Sequence, residues 1–374
     1  MGKGTNFKDF AILYRTNAQS NVLEQSLQRN GIPYRIIGGT RFFDRAEIKD
    51  MMAYLSVINN RTDDLRLKRI INTPPRGIGA KTVEMATRIA ESAGLPLYSV
   101  ISDPYSYPAL ERSANKLLAF VVMIEECAQL LKTMQLPEFY DELITRTGYM
   151  AMLTEKHDLE SRTRLENVQE LRSNLMSYID STDEPSLNDF LEMNALYTDI
   201  EQYDPDANAV VLMTMHSAKG LEFPHVCLVG LEEGLFPGTR AIGEPEEMEE
   251  ERRLCYVAIT RAKQTLTISF ARQRMLYGHT TTNRPSRFLE EIPPQCITGW
   301  IKRELPSRSE PVGNYRTSLY GDTFYDPGYQ RPRKPARKEY SAFTSSSGNN
   351  NTANIVFQKG DIVQHKAFGR GMVI

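Results

Sequence analysis

Residues 210–230 read VVLMTMHSAKGLEFPHVCLVG. Two short apolar runs in it, Val210–Met215 and Val226–Val229, are rich in β-branched residues and bounded by turn formers, the pattern of buried strands in an α/β sheet. The loop between them, from Thr214 to Phe223, sets polar side chains just beyond the carboxyl end of a strand, where open α/β sheets bind their ligands. Downstream, EEERRLCYVAITRA (249–262) reads as a charged amphipathic helix that carries Arg252 and Arg253 and ends at Thr260-Arg261-Ala262.

Two motifs in this stretch, T-x-H-S-A-K-G-L-E-F (214–223) and E-E-R-R-L-x-Y-V-A-I-T-R-A (250–262), occur in order and at a sensible spacing. They resemble the fifth and sixth motifs of superfamily 1A DNA helicases of the PcrA/UvrD/Rep type. The resemblance implies a RecA-like second motor lobe and, for the complete enzyme, ATP and Mg²⁺. In that family Arg261 would meet the γ-phosphate, where ATP hydrolysis needs positive charge. Glu222, with Gly220 in the same loop, would contact the nucleotide and its ribose, and Thr214 and His216 would face DNA or couple DNA to the nucleotide. Read without the resemblance, Arg261 is a cation at a helix C-terminus, Glu222 an exposed carboxylate and His216 a hydrogen-bonded structural residue.

The same α/β grammar opens the chain. A strand at Phe10–Tyr14, a helix from about Ala18 to Asn30 and a strand at Tyr34–Ile37 are expected. FAILYRTNAQS followed by a helix and IPYRIIGG resembles the part of the second lobe that contacts single-stranded DNA, which makes Arg15 and Asn17 candidates for phosphate or base contacts. The alternative is a helix N-cap by Thr16 or Asn17 with a solvated arginine.

From Gly38 to about Asp206 the periodicity becomes helical: Ile48, Met51, Met52, Leu55 and Ile58 recur at spacings of three and four, as do Leu117, Phe120, Val121 and Ile124. We read an all-α insertion (38–206) between two parts of one lobe (1–37 and 207–295). By resemblance, Gly38-Gly39 lies near its first hinge, and the apolar members of Phe42-Phe43-Asp44-Arg45 pack the domain junction. TPPRGIGAKT (73–82) ends in Gly-x-Lys-Thr but lacks the phosphate-loop spacing and a preceding buried strand. Gly77-Ile78-Gly79 resembles instead the hairpin by which the family grips duplex DNA; the alternative is a tight helix–helix turn needing positive φ at a glycine. Asp141-Glu142 sits in a helical segment and is assigned no catalytic role. Tyr277 lies where the family presents an aromatic for base stacking, which reads any base; the alternative is a core tyrosine. Glu244 to Glu251 read as a solvated helix start.

Residues 296–355, rich in Pro, Gly, Ser and Asn with a basic knot at 331–338, are expected to form a disordered linker. Residues 356–374 return to strand alternation and resemble the opening of the small Tudor-like (SH3-like) barrel linked in the family to RNA polymerase binding. Cys127, Cys227, Cys255 and Cys296 have no metal-ligand spacing and read as reduced, buried thiols; no metal ligands are assigned. The formal net charge of −2 over 374 residues excludes a globally basic coat but not a local basic groove. No run approaches a membrane span and the N-terminus has no apolar signal core, so a cytoplasmic location is expected.

No phosphate loop, no Asp-Glu pair after a buried strand and no preceding Tyr-Arg motif are present. The expectation is therefore the C-terminal half of a 3′-to-5′ DNA helicase, inactive alone, with the N-terminal half, single-stranded DNA and the single-strand/duplex junction as partners. Two alternatives stand beside it: a non-catalytic module binding DNA or RNA polymerase, and the helicase part of an AddA/RecB-type helicase-nuclease.

Overall fold

A computed structural model describes residues 6–156, 158–198, 208–298, 362–365 and 369–372. The chain falls into two compact units, residues 1–301 and 302–374. The first is α/β. Its sheet has five parallel strands, β1 (Phe10–Tyr14), β2 (Tyr34–Ile37), β3 (Val210–Thr214), β4 (Phe223–Val229) and β5 (Ala262–Ser269), in the order β2-β3-β1-β4-β5. The near-continuous burial of β3 is what the uninterrupted apolar run at 210–213 dictates, since a central parallel strand is covered on both faces.

Helix α1 (Ser20–Arg29) connects β1 to β2. The insertion then supplies α2 (Ala46–Asn59), α3 (Asp64–Ile70), α4 (Ala80–Ala93), α5 (Leu97–Ser102), α6 (Ala114–Leu131), α7 (Leu136–Arg146), α8 (Tyr149–Glu155), α9 (Leu159–Asp180) and α10 (Leu187–Thr198), and α11 (Pro245–Ile259) joins β4 to β5. Local chemistry sets several boundaries. Asp63 and Asp158 cap α3 and α9 by accepting the N–H groups of Arg66 and Ser161, and Gly94 ends α4 with a left-handed φ of +62°. The first helix starts later than the sequence suggested. Residues 17–19 form a 3-10 turn with Thr16 at its N-cap position, where the Gln19 carboxamide reaches back and accepts from the N–H groups of Arg15 and Thr16, each at 2.9 Å.

Two apolar cores result. One lies within the helical insertion and contains the i, i+3, i+4 positions read from the sequence, with Ile48, Met51, Leu117 and Ile124 fully buried. The other packs α11 against one face of the sheet, through Leu254, Cys255 and Ala258 against Ala11, Leu13, Val226 and Leu228. Between the two cores runs a buried polar seam. Arg45 donates to Asn167 and Ser20 at 2.7 Å each, Glu24 accepts from Ser20 and from the Phe42 N–H, Asn167 donates to Glu47, and Asn21 donates to Asn174 at 2.6 Å. Burial pushes the Glu24 carboxyl above its ordinary pKa and the Arg45 guanidinium below its own. Phe42, buried, and Phe43 pack on the helical side of this seam.

Gly38, where the chain leaves β2 for the insertion, has φ of +73°, and a Cβ there would lie 2.5 Å from the Ser217 hydroxyl. Gly38→Ala is expected to combine left-handed strain with this clash and to lower stability by roughly 1–3 kcal/mol, readable as an earlier midpoint in urea.

Of the four thiols, all free, Cys127 and Cys255 are buried, but Cys227 is half-buried and Cys296 is exposed, which corrects the expectation of four buried cysteines. Cys296 follows Pro293 and Pro294 in a short 3-10 turn and lies in neither apolar core. The second unit shows one antiparallel pair, β8 (Ile362–His365) with β9 (Gly369–Met372), numbered after the hairpin strands β6 (Gln273–Leu276) and β7 (His279–Thr282) of the first unit. The expected linker (296–355) lies outside the described residues from 299 onward, as do the positions of the Tudor-like segment (356–374) other than 362–365 and 369–372.

Candidate functional site

The parallel register sorts the candidate residues to two edges of the sheet. At the carboxyl edge Tyr14 pairs with Thr214, and the Met215 N–H donates to the Tyr14 carbonyl, so Arg15 and His216 leave neighbouring strands side by side. Arg15 forms a two-pronged ion pair with Glu251 of α11, through Nε at 3.0 Å and Nη2 at 2.6 Å, and Glu251 also accepts from the Gly238 N–H. Glu251 is therefore buried and paired. It departs from the solvated helix start expected of Glu244 to Glu251, because α11 turns this one carboxylate onto the sheet end while Glu246 and Glu247 stay exposed in the first turn. Thr214 shares a hydroxyl contact of 2.9 Å with Ser217 and accepts the Ser217 N–H, which closes the start of the loop. His216 is exposed, yet partial loss of water and the adjacent Arg15 cation hold its imidazole below the ordinary pKa. Asn17 stands half-buried in the 3-10 turn that follows Arg15.

Gly220, Glu222 and Arg261 are elsewhere. Since β3 and β4 are both parallel to β1, the chain leaving β3 at the carboxyl edge has to return to the amino edge before β4 begins. The sequence reading placed the whole loop at the carboxyl end; only Thr214 to Ser217 are there, and Gly220 and Glu222 sit where β4 and β5 start. The Phe223 N–H donates to the Arg261 carbonyl at 2.9 Å, and the Arg261 side chain donates to the carbonyls of Leu221 (3.1 Å) and Val257 (2.9 Å) and to the Thr260 hydroxyl (2.9 Å). Those acceptors fix the plane of the guanidinium at the mouth of the loop. Lys263 stands 3.5 Å from Glu222, both exposed, and Gly220 turns the loop with φ of +86°. The arrangement offers an anion two cations and a sugar hydroxyl one carboxylate.

Arg252 and Arg253 do not join this cluster. Arg252 pairs with Glu291 and Glu249, and Arg253 with Glu250, on the outer face of α11.

In the helical insertion, Gly77 takes φ of +68° between α3 and α4. Ile78 is buried, and its N–H donates to the Asn72 carboxamide at 3.1 Å, which anchors the turn. Beside this turn lies an open groove of mixed charge, lined by Lys68, Arg69, Ile78, Glu84, Arg88 and Glu91, in which Arg88 pairs with Glu84 and Arg69 with Asp50; Lys116 donates to the Gly77 carbonyl at 3.0 Å. On α7 Asp141 is exposed and pairs with Arg172, and Glu142 is half-buried and pairs with Arg146.

Tyr277 occupies the tip of the β6–β7 hairpin. With φ of +54° it is the one non-glycine residue at positive φ among the described residues, and Gly278 follows at +73°. This two-residue turn with both φ positive is the hairpin connection that matches strand twist. The tip rests on α9. Half-buried there, with Glu166 and Glu170 near it, the phenol has its pKa pushed well up. Glu166 is itself raised by burial, with Arg240 and Arg15 pulling it back, so the same acid lies within the field of Arg15 and of the Tyr277 ring. The residues missed in the sequence, Gln19, Glu251, Lys263, Glu166 and Glu170, carried no local signal: each acquires its role from a partner on a distant element.

The profile of a family described as UvrD-like helicase C-terminal domain matches residues 1–273. The ATP-dependent DNA helicase PcrA of Staphylococcus epidermidis is 40% identical over 99% of this chain, which covers 48% of that protein. The PcrA of Staphylococcus aureus is 39% identical over the same shares. The chain thus spans about half the length of the curated relatives it matches. On the family match and these relatives, the chain belongs to the UvrD-like helicases as a C-terminal portion of the PcrA/UvrD type.

Proposed function

We propose that the chain is the second motor lobe, with its duplex-gripping insertion, of an ATP-driven helicase that moves 3′ to 5′ on single-stranded DNA in repair or replication, in the cytoplasm. The observation that carries this reading is the sorting of charged residues to opposite ends of one sheet. Arg15, Asn17, Thr214 and His216 gather at the carboxyl edge for DNA, and Gly220, Glu222 and Arg261 at the amino edge for nucleotide, with α11 spanning the two. From Glu251 to Arg261 the rise is roughly 15 Å at 1.5 Å per residue. In this reading ATP is held between the Arg261–Glu222 wall and an N-terminal half that supplies the phosphate loop and the Mg²⁺ ligands. When bound, ATP would supply the free energy of its hydrolysis, in which water displaces ADP from the γ-phosphate. Arg261 would place positive charge at that phosphate and Glu222 would accept from the ribose. Gly77 and Gly79 bring main chain close to a duplex phosphate. The division into two lobe parts, helical insertion, linker and Tudor-like segment follows the same reading, with RNA polymerase as the partner of the last.

The purified chain is expected to turn over no ATP, and an added N-terminal half to restore DNA-stimulated turnover. DNA-stimulated hydrolysis by the chain alone would overturn the assignment. A second reading is a DNA-binding module without catalysis, which would use Arg15, Thr214 and His216 at one sheet edge and leave Arg261 idle. In both, a tailed duplex is expected to bind at low salt, with log K falling against log salt by about 0.9 per phosphate contacted. A flat salt dependence would remove the DNA surface from either.

A further inference from the structure

The hairpin tip is held by a single turn of α9, residues 170–173. The Tyr277 N–H donates to Glu170 Oε2 at 3.0 Å, and the Gly278 N–H donates to Ser173 Oγ at 2.8 Å. Ser173 donates in turn to Glu170 at 3.2 Å, which orients both acceptors. Arg172 donates to the Gly278 carbonyl at 2.7 Å and is steadied from behind by Asp141 at 2.8 Å. Three main-chain groups of the tip, the Tyr277 and Gly278 N–H groups and the Gly278 carbonyl, are thus answered from α9. Two further facts make this more than packing. The tip carries a tyrosine where the turn would accept glycine or asparagine without strain, so something other than local preference keeps the ring there. And Glu170 and Ser173 are both buried, although acids and serines are mostly exposed.

We propose that Glu170, Arg172 and Ser173 form a clasp that fixes Tyr277 in its left-handed conformation and couples the ring to the helical insertion. This rests on the reading of Tyr277 as a base-stacking residue. The three are positioning residues. They touch the hairpin, and through it they set where the ring stands when a duplex end arrives. The clasp belongs to the insertion and the strands belong to the lobe, so a movement of α9 relative to the sheet carries the tip with it.

The test uses the 374-residue chain as it stands. Hydrogen exchange is followed at the Tyr277 and Gly278 amides in the wild type, in Ser173→Ala and in Ser173→Thr, which keeps the hydroxyl; Glu170→Gln serves as a second variant should Ser173→Ala fold poorly. In parallel, 2-aminopurine at the first base pair of a tailed duplex reports stacking, and fluorescence anisotropy reports affinity for a single strand. Ser173→Ala is expected to speed exchange at both amides at least about tenfold and to lose most of the junction quench, with single-strand affinity within about twofold, as for a contact made by neither strand directly. Ser173→Thr is expected to restore both. Unchanged amide exchange in Ser173→Ala and Glu170→Gln overturns the clasp. A junction signal that responds to Tyr277→Ala but not to Ser173→Ala also overturns it and leaves the stacking reading standing. A signal identical in the wild type, Tyr277→Ala and Ser173→Ala overturns the stacking reading and the proposal with it.

Discussion

Arg261→Ala, assembled with a nucleotide-binding half, is expected to lower ATP turnover by roughly 10³-fold or more while affinity for single-stranded DNA stays within about twofold. The reason is positional. Arg261 stands at the amino edge of the sheet, held by the carbonyls of Leu221 and Val257, whereas Arg15, Thr214 and His216 occupy the other edge. Loss of its guanidinium removes charge at one end and leaves the other intact. Arg261→Lys is expected to recover little, because a point charge on a flexible stem cannot keep several acceptors in one plane. Stopped-flow phosphate release and oligonucleotide anisotropy on the same sample separate the two quantities. Normal turnover by the alanine variant would sink the assignment, and parallel loss of DNA binding would mean that the two edges are not independent.

The largest stability effect is expected at Glu232. Its side chain is wholly buried beyond the end of β4, where it accepts from the Ala271 N–H (2.7 Å), from Arg274 through both Nη2 (2.7 Å) and Nε (3.0 Å), and from Asn283 (3.1 Å). These contacts tie the end of β5 and the base of the β6–β7 hairpin to the loop after β4. Glu232→Ala leaves the Arg274 cation and the Ala271 N–H without their acceptor, at a cost of roughly 3–5 kcal/mol, measurable as the drop in unfolding free energy in urea. Burial alone would raise the Glu232 carboxyl, but the hydrogen bonds from Arg274, Ala271 and Asn283 outweigh it and hold the pKa below the ordinary carboxylate value. A depressed folded-state pKa means that this contribution is complete above the unfolded carboxylate pKa and is lost as pH falls through the folded one. The wild type is therefore expected to lose more stability than Glu232→Ala in acid. A difference between the two that does not vary with pH would show that the pair contributes by packing alone.

The strands of the sheet were legible because their signal is local: short apolar or aromatic runs bounded by turn residues at 10–14, 34–37 and 210–214 became β1, β2 and β3. The helical insertion was legible from spacing, since Ile48, Met51 and Leu55 recur with the period of a helix and bury together. What the sequence could not show was which end of the sheet each loop residue reaches. Thr214 and Glu222 are eight positions apart in one motif, and only the parallel register of β3 and β4 with β1 sends them to opposite edges. Glu251 looked like one acid among many until α11 turned it towards Arg15. Ile78 read as the middle of a Gly-Ile-Gly turn, and the flanking glycines gave no sign that its side chain packs into the helical core.

The order of strands carries a consequence for how the protein is made. β3 lies between β2 and β1, yet the whole helical insertion separates it from them along the chain. On the ribosome β1 and β2 therefore emerge as strands that are not neighbours, with an empty slot between them, and no pairing is open to them until the insertion has been synthesised. At 5–20 residues per second that wait is on the order of ten seconds or longer. The helices of the insertion, with short-range contacts, can form within that interval. A nascent chain arrested before Val210 is thus expected to hold a folded helical body beside a segment with exposed strand edges, the state most in need of a chaperone.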